Sequence, residues 1–173
     1  DNILRLIQED DIVILAVDNH ATRRLVDRHC AGLRSVCLIS GGNDGVGEDS
    51  TGRRTRGTFG NVQVYIRRDG EDRSPSLSRY HREVEHPPDR LPTEVSCTEM
   101  LARVPQLLFT NLMSAAAILN AFYLYLCGDA LHYSELCFDI ADGVMNPSPI
   151  PAPRSESVTG GTIRKASRCN NGA

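Results

Sequence analysis

Tryptophan is absent from this chain, lysine occurs once, and aromatic residues make up 5% of 173 positions. Stacking platforms for nucleic-acid bases are therefore scarce. Charge of one sign is lacking too: 19 basic against 22 acidic residues leave a formal net charge of −3. A protein that coats nucleic acid needs a basic field, so no nucleic-acid role is expected. Lys165 is the one basic residue that is not arginine, which codon bias explains as well as function does. The six cysteines (Cys30, Cys37, Cys97, Cys127, Cys137, Cys169) form no CxxC pair and no Cys/His cluster at metal-ligand spacing, so no zinc is expected. Several lie in apolar runs, where a thiol behaves as a small hydrophobe. A chain of this length has core enough without disulfide staples, and the cysteines read as thiols of a reducing, cytoplasmic compartment. No signal peptide opens the sequence. It begins on Asp1 as if in mid-fold, as a fragment would.

What is present is a single domain with 40% hydrophobic residues, too apolar for a disordered chain. Residues 2–8 carry apolar positions at helical spacing. Ile12–Val17 is an unbroken apolar run, as expected of a parallel strand buried on both faces. Asn19 then suits the N-cap of a helix over about 21–30, with Ala21, Leu25, Val26 and His29 inward and Gly32 at its stop. A second buried strand covers 35–40 and ends at Gly41-Gly42. This alternation predicts a parallel sheet with helices on its faces.

Further on, Val62, Val64 and Ile66 alternate with Gln63, Tyr65 and Arg67, predicting a strand buried on one face. Residues 71–95 are polar and proline-containing and read as a long irregular crossover connection. Alternation at Leu136, Phe138 and Ile140 predicts a closing strand. Residues 1–145 thus form the folded part, and the Pro-, Ser- and Gly-rich residues 146–173 are expected to be a disordered tail.

From Gln106 to Gly128 there is no charged residue. The length nearly spans a bilayer. Yet polar residues are spread along it and no basic cluster flanks it, so a helix buried in the core or at a subunit interface is expected, not a membrane span.

Asp18 stands directly after the first strand. Ligands of open α/β sheets bind at the carboxyl ends of strands, where such a carboxylate could hold Mg²⁺ on a nucleotide or bond a ribose. Capping the next helix is the competing role. Gly41–Gly47 lacks the strand–turn–helix context of a phosphate loop and reads as a flexible turn. Arg53, Arg54 and Arg56 are a small basic cluster, but residues 48–94 hold as many acids as arginines, so a solvated face is the plainer reading. His20 is near the presumed crevice, whereas His81 and His86 lack a partner at a telling spacing.

The segment Asp18-Asn19-His20-Ala21-Thr22-Arg23, placed after a buried strand, resembles the strand-Asp-Asn-x-x-x-Arg element of the ThiF/HesA/MoeB family, relatives of ubiquitin-activating enzymes. The downstream order of elements is also similar: a strand ending in Gly41-Gly42, a crossover connection, a Cys97-Thr98 segment, a long apolar helix and a strand over 135–140. The resemblance spans about residues 1–145. It implies a partial Rossmann-like α/β fold, a mixed sheet with helices packed on it. It also implies ATP-dependent adenylation of the C-terminal carboxylate of a ubiquitin-like or sulfur-carrier protein. Asp18 matches the acid that holds Mg-ATP, and Asn19 matches its neighbour beside the nucleotide. Cys97 is the candidate nucleophile that would take the acyl group as a thioester if its pKa is lowered; the alternative is an ordinary loop cysteine. The family's glycine-rich nucleotide loop and phosphate-binding Arg and Lys residues have no counterpart here, so poor ATP binding by this chain alone is expected. A homodimer through 106–127 fits the apolar helix. Rival readings are a non-catalytic ThiF-like subunit and a Rossmann-type oxidoreductase with Asp18 on a ribose.

Overall fold

The computed structural model describes residues 3–48, 52, 54–94, 105–128 and 131–150. After a short α1 (Ile3–Leu6), the β-branched run Ile12–Leu15 becomes β1 and Val36–Asn43 becomes β2. They pair in parallel across α2 (His20–Gly32), giving one β-α-β unit. All other pairings in this sheet are antiparallel. Strand β5 (Phe59–Arg68) runs against β2, β7 (Tyr133–Asp139) against β5, and β8 (Val144–Pro149) against β7. The strand order is β1-β2-β5-β7-β8, with β6 (Glu71–Asp72) added to β5. A separate two-stranded arm joins β3 (Val46–Glu48) and β4 (Arg54–Arg56). The chain is therefore α/β with a mixed sheet and helices packed on it.

Each face of the sheet carries its own core. On one, Ile39, Val62, Val64 and Leu136 meet Ala117, Ile118 and Ala121 of α5 (Leu108–Cys127). On the other, Leu38 and Tyr65 pack with Val26 and Cys30 of α2, Leu77 of α3 (Leu77–Tyr80) and Val84 of α4 (Arg82–Glu85). Burial pushes the Cys30 and Cys37 thiols up to about 12, so both are inert hydrophobes. Cys127 is an exposed free thiol, whereas Cys137 is disulfide-bonded, which an all-thiol reading does not provide for.

Several expectations need correction. Strand β1 lies at an edge of the described sheet, and Ile14 is 45% exposed, because only β2 flanks it. Leu25 of α2 points outward and Asp27 inward. Gln63 and Tyr65 are buried, not solvent-facing, because helices cover both faces of β5. Gly41-Gly42 is no flexible turn: β2 runs through both glycines to Asn43. A Cβ on Gly41 would run into Ile118 Cδ1 and Cγ1, so glycine lets α5 settle on the sheet. The 71–95 connection is not irregular throughout, since β6, α3, α4 and a 3-10 turn at Pro92–Glu94 lie in it. Strand β7 does not close the sheet, and residues 146–149, expected in the tail, are the last four residues of β8. Finally, α5 is not buried all round. Thr110, Ser114, Ala117, Ile118 and Ala121 face the sheet, while Leu108, Leu112, Leu119, Tyr123 and Leu126 are exposed. It is one helix long and apolar enough to cross a membrane, by length and composition alone.

Candidate functional site at the carboxyl ends of the first two strands

The chain leaves β1 at Leu15 and reaches α2 within a few residues, so Asp18 stands where a β-α-β unit exposes its crevice. Asn19 has the extended backbone of an N-cap. Its Oδ1 accepts from the Thr22 amide at 2.7 Å and the Thr22 hydroxyl at 2.8 Å, while its Nδ2 donates to the Arg90 carbonyl at 2.8 Å. Asp89 takes the next two donors: the His20 and Ala21 amides donate to its two oxygens, each at 2.8 Å. The positive end of α2 is thus already satisfied by a carboxylate from within the chain, so these amides are not free to cradle a phosphate. Of the two roles open to Asp18, helix capping is performed by its neighbours instead. Its own carboxylate is exposed and, among the described residues, accepts one hydrogen bond, from Gln106 Nε2 at 3.0 Å.

Arg23, the last residue of the Asp-Asn-x-x-x-Arg element, turns back under the helix. Its Nε and Nη2 donate to the Val17 carbonyl at 3.1 and 2.9 Å, and Nη2 also reaches the Gly41 carbonyl at 2.8 Å. The guanidinium ties the loop after β1 to the interior of β2. Gly42 makes room for it, since a Cβ there would overlap Nη2. Burial holds the Arg23 pKa below its usual value, opposed by Asp18, Asp89 and Glu83; an arginine stays charged regardless.

Beside Arg23 a polar cavity of about 160 Å³ opens between the end of β2, the start of β5 and residues 81–84. His20, Asn43, Asn61, Gln63 and His81 are among its walls. Gln63 is 3% exposed and its Nε2 has no hydrogen-bond partner among the described residues. His81 is gripped from both sides: Nδ1 lies 2.8 Å from Glu83 Oε1 and Nε2 lies 2.6 Å from Glu135 Oε1, which also accepts from Asn61 Nδ2 at 3.0 Å. Burial works to lower the His81 pKa, but the bonds and charges of Glu135 and Glu83 outweigh it and the net shift is upward. Burial likewise works to raise both glutamates, and their bonds and attraction to His81 bring them below the usual value. With a carboxylate oxygen facing each ring nitrogen, His81 is a cross-link between Glu83 and Glu135 whose upward shift favours the protonated ring.

The structure therefore brings Asp18, Asn19 and Arg23 together at one end of the sheet, with His20 beside the cavity. Cys97 lies outside the described residues, as does the Thr98 beside it. Sequence reasoning missed Arg23 as a strand tie, Asp89 as a cap and the Glu83–His81–Glu135 array. The His-x-Glu spacing of residues 81 and 83 was the one local signal. Among the described residues no three His, Cys, Asp or Glu side chains are grouped to hold a metal ion. The Asp18 carboxylate, a hard oxygen donor at an open crevice, nonetheless suits Mg²⁺. No protein-family model matches the chain, and no curated protein or solved structure matches it.

Proposed function

We propose that this chain is part of a ThiF-type adenylating protein, which activates the C-terminal carboxylate of a ubiquitin-like or sulfur-carrier protein with ATP and Mg²⁺. The observation that carries the reading is Asp18. Its carboxylate stands at the carboxyl end of β1, outside the cap of α2, and engages one side-chain amide. In this reading Asp18 holds the metal on the triphosphate, and the anion helps neutralise a crowded phosphate site. Asn19 borders the nucleotide while capping α2, and Arg23 fixes the loop that carries both. Cys97 is the thiol that would receive the acyl group. The Rossmann-like identity of the fold and a cytoplasmic setting belong to the same proposal. The test is carrier-dependent exchange of pyrophosphate into ATP by the full-length protein that contains this chain. Exchange that requires the carrier supports the reading, and none with any ubiquitin-like or sulfur-carrier protein sinks it.

A second reading, a non-catalytic subunit that dimerises or docks a partner, is favoured by the exposed apolar stripe of α5. In it Cys97 is replaceable without loss of function. In both readings α5 is the proposed homodimer surface, and neither nucleic acid nor a membrane is a partner.

A further inference from the structure

We propose that the outer face of α2 and the segment opposite it form a docking groove for an acidic peptide segment of a partner protein, anchored by an apolar side chain. Ala21, Arg24, Leu25, Arg28 and Gly32 recur at helical spacing on the side of α2 away from its buried Val26, Asp27 and Cys30. Facing them across a cavity of about 1040 Å³ are residues 87–94. The far wall is held in place: Asp89 binds the first amides of α2, and Asn19 Nδ2 holds the Arg90 carbonyl. The groove therefore stands open before a ligand arrives, which lowers the ordering cost of binding.

Its chemistry is that of an acidic, partly apolar ligand. Arg24 and Arg28 on one wall and Arg90 on the other have no carboxylate partner among the described residues. The two acids of the groove are engaged within the chain, Asp89 by α2 and Glu94 by the Leu91 amide at 3.2 Å. The same cavity is lined by Leu25, 45% exposed, and by Leu33 and Leu91. Arginine forks recognise carboxylates in pairs, and apolar side chains lining the same groove reward a buried anchor side chain. Nucleic acid fits less well, because a chain of net charge −3 supplies no basic field and apolar lining side chains offer nothing to phosphates.

The experiment is fluorescence anisotropy of the whole chain with a labelled peptide of alternating Glu and Leu, its Lys/Leu counterpart, and inorganic tripolyphosphate as competitor. The acidic peptide is expected to bind, more weakly as salt rises, with its affinity reduced tenfold or more in Arg24→Glu/Arg28→Glu. Arg90→Glu, on the opposite wall, should weaken binding as well, and Leu25→Ser should weaken it without altering the salt dependence. Unchanged circular dichroism shows that the variants fold. The proposal is overturned if the acidic peptide does not bind, if the Lys/Leu peptide binds equally, or if the arginine variants bind undiminished. It is also overturned if tripolyphosphate displaces the peptide and Leu25→Ser has no effect, since the groove is then a plain anion site.

Discussion

Glu135 Oε1 lies 2.6 Å from His81 Nε2, joining β7 to the link between α3 and α4. Glu135 is 5% exposed, so its charge depends on the His81 ring and on Asn61. His81→Leu leaves the carboxylate buried beside one amide and should destabilise the fold by about 3 kcal/mol, as broken buried pairs do. The double variant His81→Leu/Glu135→Leu should recover part of that loss, as urea denaturation would show. A double variant no more stable than the single one rejects the pairing.

The same array sets a pH window. His81 has a raised pKa, so its contribution is complete below the ordinary histidine value of 6.5 and is lost as pH rises through its folded value. Glu83 and Glu135 have lowered values, so theirs is complete above 4.5 and is lost as pH falls through their folded values. Stability from this array therefore peaks between about 4.5 and 6.5 and declines above it. Urea midpoints measured from pH 5 to 9 should show that decline in the native chain and a flatter profile in His81→Gln.

Gly41→Ala pushes a methyl group into the Ile118 side chain at the seat of α5. Overpacking of this kind costs roughly 1–3 kcal/mol. Adding Ile118→Val removes the Cδ1 that is struck and should restore part of the thermal midpoint. No restoration would mean that the glycine serves the backbone rather than the contact.

Leu112 and Leu119 are 61% and 58% exposed and lie two turns apart on the outer stripe of α5. The five exposed side chains of this stripe leave roughly 500–750 Å² uncovered if each contributes on the order of 100–150 Å², a little under one partner's share of a standard interface. Sedimentation of the chain at micromolar concentration should show a dimer that Leu112→Glu/Leu119→Glu converts to a monomer. A native chain monomeric at all concentrations would leave that stripe without a self-partner.

Asp18→Asn removes a charge whose one hydrogen bond among the described residues is to Gln106. Stability should change by no more than about 0.5 kcal/mol, as for other surface substitutions. Pyrophosphate exchange by the full-length protein should drop by roughly 100-fold, because the metal loses an anionic ligand. A variant that folds and exchanges normally would take Asp18 out of the site.

The β1-α2-β2 unit was legible because its signals are local: a β-branched run, an asparagine cap and a second apolar run stand next to one another. The antiparallel remainder of the sheet was not, since strand direction depends on partners that a periodicity cannot name. Strand glycines and turn glycines look alike in sequence, and what tells Gly41 apart is Ile118, far along the chain. For α5, uniform apolarity hid which face is covered, although the small residues Thr110, Ser114, Ala117 and Ala121 trace the side that approaches the sheet. In the site, Asp18 and Asn19 were readable from position. Arg23, Asp89 and the His81 array emerge when segments far apart in the chain meet, as Glu135 meets His81.

Residues 74–94 are fastened mainly by side chains and not by sheet pairing. Asp27 holds the Leu77 and Ser78 amides, Tyr80 meets Ser134, Glu135 grips His81, and Asp89 closes α2. Such a strap can detach as one unit while β2 and β5 stay paired. Hydrogen–deuterium exchange would then release the strap amides together with those of His20 and Ala21, ahead of the strands. Opening at the crossover and fraying at the start of α2 become a single event, so anything that lifts the strap also unveils the helix end beside Asp18.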